Sequence, residues 1–168
     1  GKCRGTFPLP PAAPHHGGIA AAANVTGHVS VSSNSYQQVM VALALKGPLA
    51  VSVDAGAWHD YESGVFTGGN STNPDLDHLV QLIGYGTDES GVDYWLVRNS
   101  WGSGFGEQGY IRILKASKGD AEPCADDPRP LDGNCGKSGP CKCPSVVKYC
   151  GTCGVLSESA YPLGARLA

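Results

Sequence analysis

The sequence predicts a mainly β protein with one or two short helices, in which one helix precedes an antiparallel sheet that curls into a small barrel. The composition is the first reason: 168 residues include 24 glycines and 12 prolines, and only 16% are charged. This balance is typical of loop- and strand-rich proteins and argues against a coiled coil or a helical bundle. The second reason is that short apolar segments separated by turn residues outnumber segments with helical spacing. The length fits one domain, residues 1–168.

The first regular element is a helix predicted over residues 35–46. Ser35 is a suitable N-cap, whereas Gly47 and Pro48 end the helix and prevent its continuation. Its apolar side comprises Val39, Met40, Leu43 and Leu45. A strand rich in β-branched residues, Leu49–Val53, follows directly.

Three more strands are predicted downstream, over Leu76–Tyr85, Asp93–Arg98 and Gly109–Leu114. The Asp-Glu-Ser-Gly sequence at 88–91 has the residue types of a hairpin loop and joins the first two of these strands. The segment Gly154–Pro162 is apolar enough to return to the core.

Two segments have the composition of loops. Residues 1–24 are rich in Pro, Gly and His, and residues 116–153 form a polar, cysteine-rich insertion. His15 and His16 could bind a metal, but an adjacent pair of solvated surface histidines is the commoner explanation. No metal site and no cofactor are therefore expected.

Six of the seven cysteines are crowded into the insertion: Cys124, Cys135, Cys141, Cys143, Cys150 and Cys153. This density favours a disulfide framework and an oxidising compartment, with a four-cysteine zinc site as the less favoured alternative. Cys3 is then left over, which indicates a disulfide to another chain. Asn24 and Asn70 begin glycosylation sequons. Together with the cysteine density, the sequons support a secreted or lumenal protein.

Other classes of protein are disfavoured. The net charge of -3 provides no basic surface for nucleic acid. No apolar run approaches the length of a membrane span, and neither a secretory signal nor a transit peptide is visible. The chain begins with Gly1-Lys-Cys-Arg4 rather than methionine, and we expect it to have been cut from a longer protein.

A histidine and an asparagine stand where apolar residues would be expected. His78 lies inside one predicted strand, and Asn99 ends the next and is followed closely by Trp101. If the strands are neighbours, the histidine and the asparagine meet at one end of the sheet, under an indole that shields them from water. From spacing alone, a hydrogen-bonded core histidine is the commoner explanation.

The sequence blocks around these residues resemble the papain/cathepsin family of cysteine proteases. The blocks, in order, are Val25–Gly27, Gly47–Ala55, Asp77–Gly86, Tyr94–Gly102, Gly106–Tyr110, Cys153–Gly154 and Ala160–Pro162. Together they cover most of the chain outside the N-terminal loop and the insertion. The resemblance implies the antiparallel, β-barrel-like right-hand domain of the α+β papain-like fold.

The resemblance also implies roles for individual residues. His78 matches the catalytic histidine, Asn99 the asparagine that orients it, and Trp101 the indole that covers their hydrogen bond. In the family, the nucleophile is a cysteine thiolate paired with this histidine. The helix-borne cysteine run and the oxyanion-hole glutamine have no match here, and Cys150-Gly-Thr-Cys153 resembles that run only superficially. The chain is therefore expected to be the C-terminal, heavy-chain half of a protease.

The same comparison implies a partner and a compartment. The missing cysteine and glutamine would come from a second chain, disulfide-linked through Cys3, in a lysosomal, vacuolar or secreted enzyme that cleaves proteins and peptides. Asn70 stands near the place of a family cysteine that bridges to the Cys153 position. Cys153 is therefore expected to pair within the insertion.

Substrate preference can be inferred by position. Ser52, Leu76 and Leu79 match the walls of the main specificity pocket, Glu158 its far end, and Asp77 a neighbouring substrate-binding position. Leu79 is bulkier than the Gly or Ala usual there and narrows the pocket. Glu158 either pairs with a basic substrate side chain, which favours Arg, or points into solvent.

The sequence is compatible with three candidate functions. The first is a cysteine endopeptidase half that carries the catalytic His and Asn. The second is a papain-like module that no longer cleaves and serves as a binding or structural subunit. The third, a secreted cysteine-rich binding or inhibitor module centred on residues 124–153, leaves the His-Asn-Trp blocks unexplained.

Overall fold

A computed structural model describes residues 23–69, 75–116, 122–128 and 145–167. One helix and eleven strands make up its regular structure. In chain order they are β1 (Ala23–Asn24), β2 (Gly27–Ser30), α1 (Tyr36–Lys46), β3 (Leu49–Val53), β4 (Val65–Phe66), β5 (His78–Thr87), β6 (Asp93–Arg98), β7 (Tyr110–Leu114), β8 (Cys124–Asp127), β9 (Val147–Cys150), β10 (Ser159–Leu163) and β11 (Arg166–Leu167). A short 3-10 turn, Thr152–Gly154, follows β9.

Seven strands form the main sheet, in the order β2-β10-β3-β5-β6-β7-β4. All neighbouring pairs are antiparallel except β4 and β7, which are parallel. Two small sheets, β1 with β11 and β8 with β9, complete the structure. The predicted fold class, mainly β with a short helix, is confirmed.

The helix starts and stops where the sequence predicts. Ser35 is the N-cap, and its hydroxyl accepts a hydrogen bond from the Gln38 backbone N–H at 3.4 Å. Gly47 lies just beyond the helix with a positive φ of 93°, a conformation that glycine adopts without steric cost. Val39, Ala42 and Leu43 of the helix are buried against the sheet.

The core lies on one face of the sheet. Alternate residues of β6 and β7 are buried, as expected for strands with one covered face: Trp95 and Val97 in β6, Ile111 and Ile113 in β7. Trp58, in the loop after β3, is fully buried in the same cluster. This packing fixes the ends of the central strands, where the candidate site lies.

Several predicted boundaries need correction. The strand predicted over Leu76–Tyr85 begins at His78 and continues to Thr87, and the one predicted from Gly109 begins at Tyr110. The insertion predicted as loop over 116–153 contains the β8–β9 hairpin. Each hairpin strand has only four residues, without a clear apolar alternation, and is defined by its pairing across the hairpin.

The cysteine predictions have mixed outcomes. Cys124 and Cys150 face each other across β8 and β9 and form a disulfide, which confirms that these two cysteines are cross-linked and supplies a pairing that the sequence left open. The predicted disulfide of Cys153 is wrong, because this residue is a buried free thiol. The predictions for the remaining cysteines, for the second sequon and for the histidine pair concern residues outside the described part of the chain: Cys3, Cys135, Cys141, Cys143, Asn70, His15 and His16.

Candidate active site

His78 and Asn99 meet at one end of the sheet because their strands are antiparallel neighbours. His78 is the first residue of β5, and Asn99 directly follows the last residue of β6. The Asn99 side chain is 8% exposed, and its Oδ1 lies 2.9 Å from His78 Nε2. The predicted meeting of these two side chains is therefore confirmed.

The surroundings of Asn99 determine which imidazole nitrogen carries the proton. The Ser100 backbone N–H donates to Asn99 Oδ1 at 2.7 Å, which identifies this atom as the oxygen of the amide. An oxygen can only accept, so His78 Nε2 must be the donor. In the neutral ring, the lone pair is therefore on Nδ1, the atom left for proton transfer.

Trp101 covers this pair, as predicted. Its ring stacks on His78 with centroids 5.2 Å apart and an interplanar angle of 27°. The indole is 38% exposed and also contacts Phe105 edge-on at 5.1 Å. A large apolar ring here limits the access of water to the His78–Asn99 hydrogen bond.

Two further aromatic residues, which sequence reasoning missed, belong to the same cluster. Trp58 contacts His78 edge-on at 6.3 Å, and His59 stacks on Trp101 at 4.9 Å with an interplanar angle of 8°. Both come from the loop between β3 and β4. The adjacent Trp-His pair in an otherwise polar segment was the only signal in the sequence, and it has no characteristic spacing.

Cys153 is close to this cluster but lacks the properties of an activated nucleophile. Trp58 Nε1 donates a hydrogen bond to Cys153 Sγ at 3.4 Å, and the same indole contacts His78 edge-on. Burial raises the pKa of Cys153 to about 11, more than the Trp58 hydrogen bond lowers it. A catalytic cysteine needs the opposite shift, toward a thiolate at working pH.

Three of the predicted pocket residues lie together. Ser52 pairs with Leu79 across β3 and β5, and the Ser52 hydroxyl donates to Glu158 Oε2 at 3.1 Å. Leu79 is 71% exposed on the surface beside them. An acidic group is thus held next to an exposed apolar side chain.

The other two predicted pocket residues are placed differently. Leu76 is buried, and it packs so closely on Gly154 that a Cβ there would lie 2.6 Å from Leu76 Cδ2. Asp77 is exposed, and its Oδ1 accepts the Ala55 backbone N–H at 3.1 Å. Asp77 therefore ties the start of β5 to the loop after β3.

Comparison with known proteins identifies the family. Residues 12–127 match the family described as "Papain family cysteine protease". The chain belongs to the papain family. A cathepsin L-like protein of Caenorhabditis elegans is 43% identical over 91 residues, which are 53% of this chain and 27% of that protein. Vignain of Vigna mungo is 46% identical over 96 residues, 56% of this chain and 26% of that protein.

Solved papain-family structures share the fold. Bromelain from Ananas comosus in complex with the E64 inhibitor has a TM-score of 0.62 and 34% identity, covering 87% of this chain and 54% of bromelain. The chain spans about a quarter of the length of the two relatives above.

Two searches of the described residues give negative results. Within the described ranges, no helix combines the length and the apolar character that a membrane span requires. No group of three or more His, Cys, Asp or Glu side chains within the described ranges is arranged to hold a metal ion.

Proposed function

We propose that this chain supplies the catalytic histidine and its orienting asparagine to a papain-type cysteine endopeptidase, and that a separate chain supplies the nucleophilic cysteine and the oxyanion-hole glutamine. The observation that carries the proposal is the His78–Asn99 hydrogen bond under Trp101. Asn99 fixes the imidazole with its proton on Nε2, so Nδ1 is available to a thiol from the partner chain.

The reaction follows from this arrangement. Nδ1 of His78 accepts the proton of the partner's thiol, which forms a thiolate–imidazolium pair. The thiolate attacks a peptide carbonyl carbon, and the imidazolium returns the proton to the leaving amine as the C–N bond breaks. Water, deprotonated by His78, then hydrolyses the thioester and releases the acid. Asn99 holds the ring in one orientation throughout these steps.

The state of the described cysteines supports a nucleophile that comes from the partner chain. Cys124 and Cys150 are joined in a disulfide, and Cys153 is buried with a raised pKa. A disulfide from Cys3 to the partner chain is part of the proposal, as is an oxidising compartment, lysosomal, vacuolar or extracellular. The disulfide across the β8–β9 hairpin and the exposed sequon residue Asn24 are consistent with that compartment.

The pocket geometry favours substrates with an apolar side chain, and Arg as a tolerated alternative. The Ser52 hydroxyl holds the Glu158 carboxylate beside the exposed Leu79. A carboxylate fixed in this way can pair with a guanidinium through two hydrogen bonds. Asp77 would then act at the edge of the site by fixing the loop that follows β3.

The test uses the native protein for the mass measurements and recombinant protein for the variants. Intact mass is measured before and after reduction, and a thiol-directed epoxide probe is added to wild type, His78→Ala and His28→Ala. We expect reduction to release a second chain whose cysteine is labelled. Labelling and peptide hydrolysis should be lost in His78→Ala and kept in His28→Ala, since His28 is exposed on β2.

Two results would contradict the proposal. One is the absence of a second chain, covalent or non-covalent, in reduced and native mass measurements. The other is equal labelling in wild type and His78→Ala. Either result would favour the alternative, a papain-like module that acts as a binding or structural subunit.

A further inference from the structure

His59 makes the most nearly parallel ring stack of the candidate site. Its imidazole stacks on Trp101 with centroids 4.9 Å apart and planes 8° from parallel, closer to parallel than the 27° of the His78–Trp101 stack. His59 itself is exposed. One indole is thus stacked with two imidazoles, of which only His78 contacts Asn99.

The backbone that carries His59 is held on both sides. The Trp58 backbone N–H donates to Ala55 O at 3.0 Å, and the Tyr61 backbone N–H donates to Trp58 O at 3.0 Å. Trp58 is fully buried and Tyr61 is 8% exposed, so both neighbours anchor this loop in the core. His59 is therefore presented to Trp101 from a fixed loop.

We propose that His59 is a positioning residue that keeps the Trp101 indole over the His78–Asn99 hydrogen bond. The inference rests on the proposed function for its catalytic consequence. Trp101 is 38% exposed, so an indole that moved away would admit water to compete with Asn99 for the His78 Nε2 proton. A stack of parallel rings opposes this movement, and it persists when His59 is charged because a cation over an indole is attracted to it.

The contact can be removed without damage to the core. Among the described residues, two other rings besides the histidines contact Trp101. They are Phe105 and Trp58, which are 9% and 0% exposed and belong to the hydrophobic core. His59 lies outside that core. Truncation of His59 should therefore change the indole's position more than the stability of the fold.

The direct test measures, by NMR on the protein as isolated with any partner chain it carries, exchange with water of the His78 Nε2 proton. The signal is assigned by its loss in His78→Gln. We expect exchange roughly two- to tenfold faster in His59→Ala, the range set by the loss of one aromatic pair. We expect His59→Phe, which keeps a flat ring, to remain close to wild type.

Two exchange results would overturn the inference. In the first, His59→Ala exchanges at the wild-type rate. In the second, the His78 Nε2 proton exchanges as fast in His59→Phe as in His59→Ala, which would show that a flat ring at position 59 does not protect this proton. Circular dichroism of each variant confirms that the fold is retained.

Activity gives the second readout in the complete two-chain protease. We expect kcat of His59→Ala to fall by a similar two- to tenfold with KM unchanged, and His59→Phe to restore it. An unchanged kcat in His59→Ala beside an active wild type would overturn the positioning role. If wild type shows no thiol-dependent hydrolysis, the proposed function fails, whereas the exchange rates still decide whether His59 positions Trp101.

Discussion

Replacement of Glu122 by glutamine should remove much of the pH dependence of this chain's stability near neutrality. Glu122 is only 6% exposed. Its Oε1 accepts hydrogen bonds from Trp95 Nε1 and from the Ala116 backbone N–H, both at 3.2 Å, whereas Oε2 is buried and has no hydrogen-bond partner among the described residues. Burial is the main cause that raises the pKa of this carboxyl to about 7, against the hydrogen bonds that lower it.

The sign follows from the protons held by each state. The unfolded chain releases the Glu122 proton near its ordinary pKa of 4.5, and the folded chain releases it near 7. Between these values, the folded state holds more protons, so the free energy of unfolding falls as pH rises and then levels off above 7. Each pKa unit corresponds to about 1.4 kcal/mol, so the fall reaches about 3 kcal/mol at most.

Urea unfolding followed by circular dichroism at several pH values between 4.5 and 8 measures this fall. Glutamine has nearly the same shape and cannot ionise, so the free energy of unfolding should drop by about 3 kcal/mol less in Glu122→Gln than in wild type. Glu89→Gln, at an exposed position in the β5–β6 turn, should follow wild type. If the free energy of unfolding falls with pH as steeply in Glu122→Gln as in wild type, titration of the buried Glu122 carboxyl is not the cause of the fall.

Three more predictions concern packing, specificity and reactivity. Gly106→Ala should lower the free energy of unfolding in urea by more than about 2 kcal/mol, because the Gly106 φ is +45° and a Cβ there would lie 2.6 Å from Tyr61. Gly104→Ala is the control, because nothing lies within 4 Å of a Cβ at that position. Equal losses of stability in the two variants would refute the steric argument. Glu158→Ala should selectively reduce cleavage of substrates that place Arg in the pocket, measured as the Arg-to-Phe ratio of kcat/KM, and an unchanged ratio would remove the ion pair from consideration. At pH 8, Cys153 should react with iodoacetamide only in denaturant, because burial keeps its pKa near 11. Rapid alkylation of Cys153 itself in the native chain, located by peptide mass, would contradict this.

Where local chemistry determines structure, the sequence was a good guide. The Ser35 cap and the Gly47-Pro48 stop bound the helix within one residue, and the β3, β6 and β7 strands are close to their predicted positions. The short strands β1, β2, β4 and β11 have two to four residues and exist only through partners distant in the chain. Nothing in so few residues distinguishes them from loop.

The candidate site divides in the same way. His78, Asn99 and Trp101 could be found because each stands at a fixed place in a recognisable sequence block. His59 could not, because its partner is contributed by another loop. The Cys153 disulfide is predicted wrongly because the resemblance locates a family partner position near Asn70 but says nothing about local packing, which here places the thiol against the Trp58 indole. The catalytic and pocket roles of these residues remain predictions.

The position of β10 has a consequence for how the chain folds. β10 lies between β2 and β3, so that Ala160 faces both Ser30 and Ala50. During synthesis, β2 has no neighbour in the main sheet until residues 159–163 have been made, and closure of so long a loop is entropically costly and slow. The β3 edge stays open for the same period and can pair wrongly with another nascent chain. Cleavage that removed β10 from the mature fold would release β2 and expose the β3 edge again.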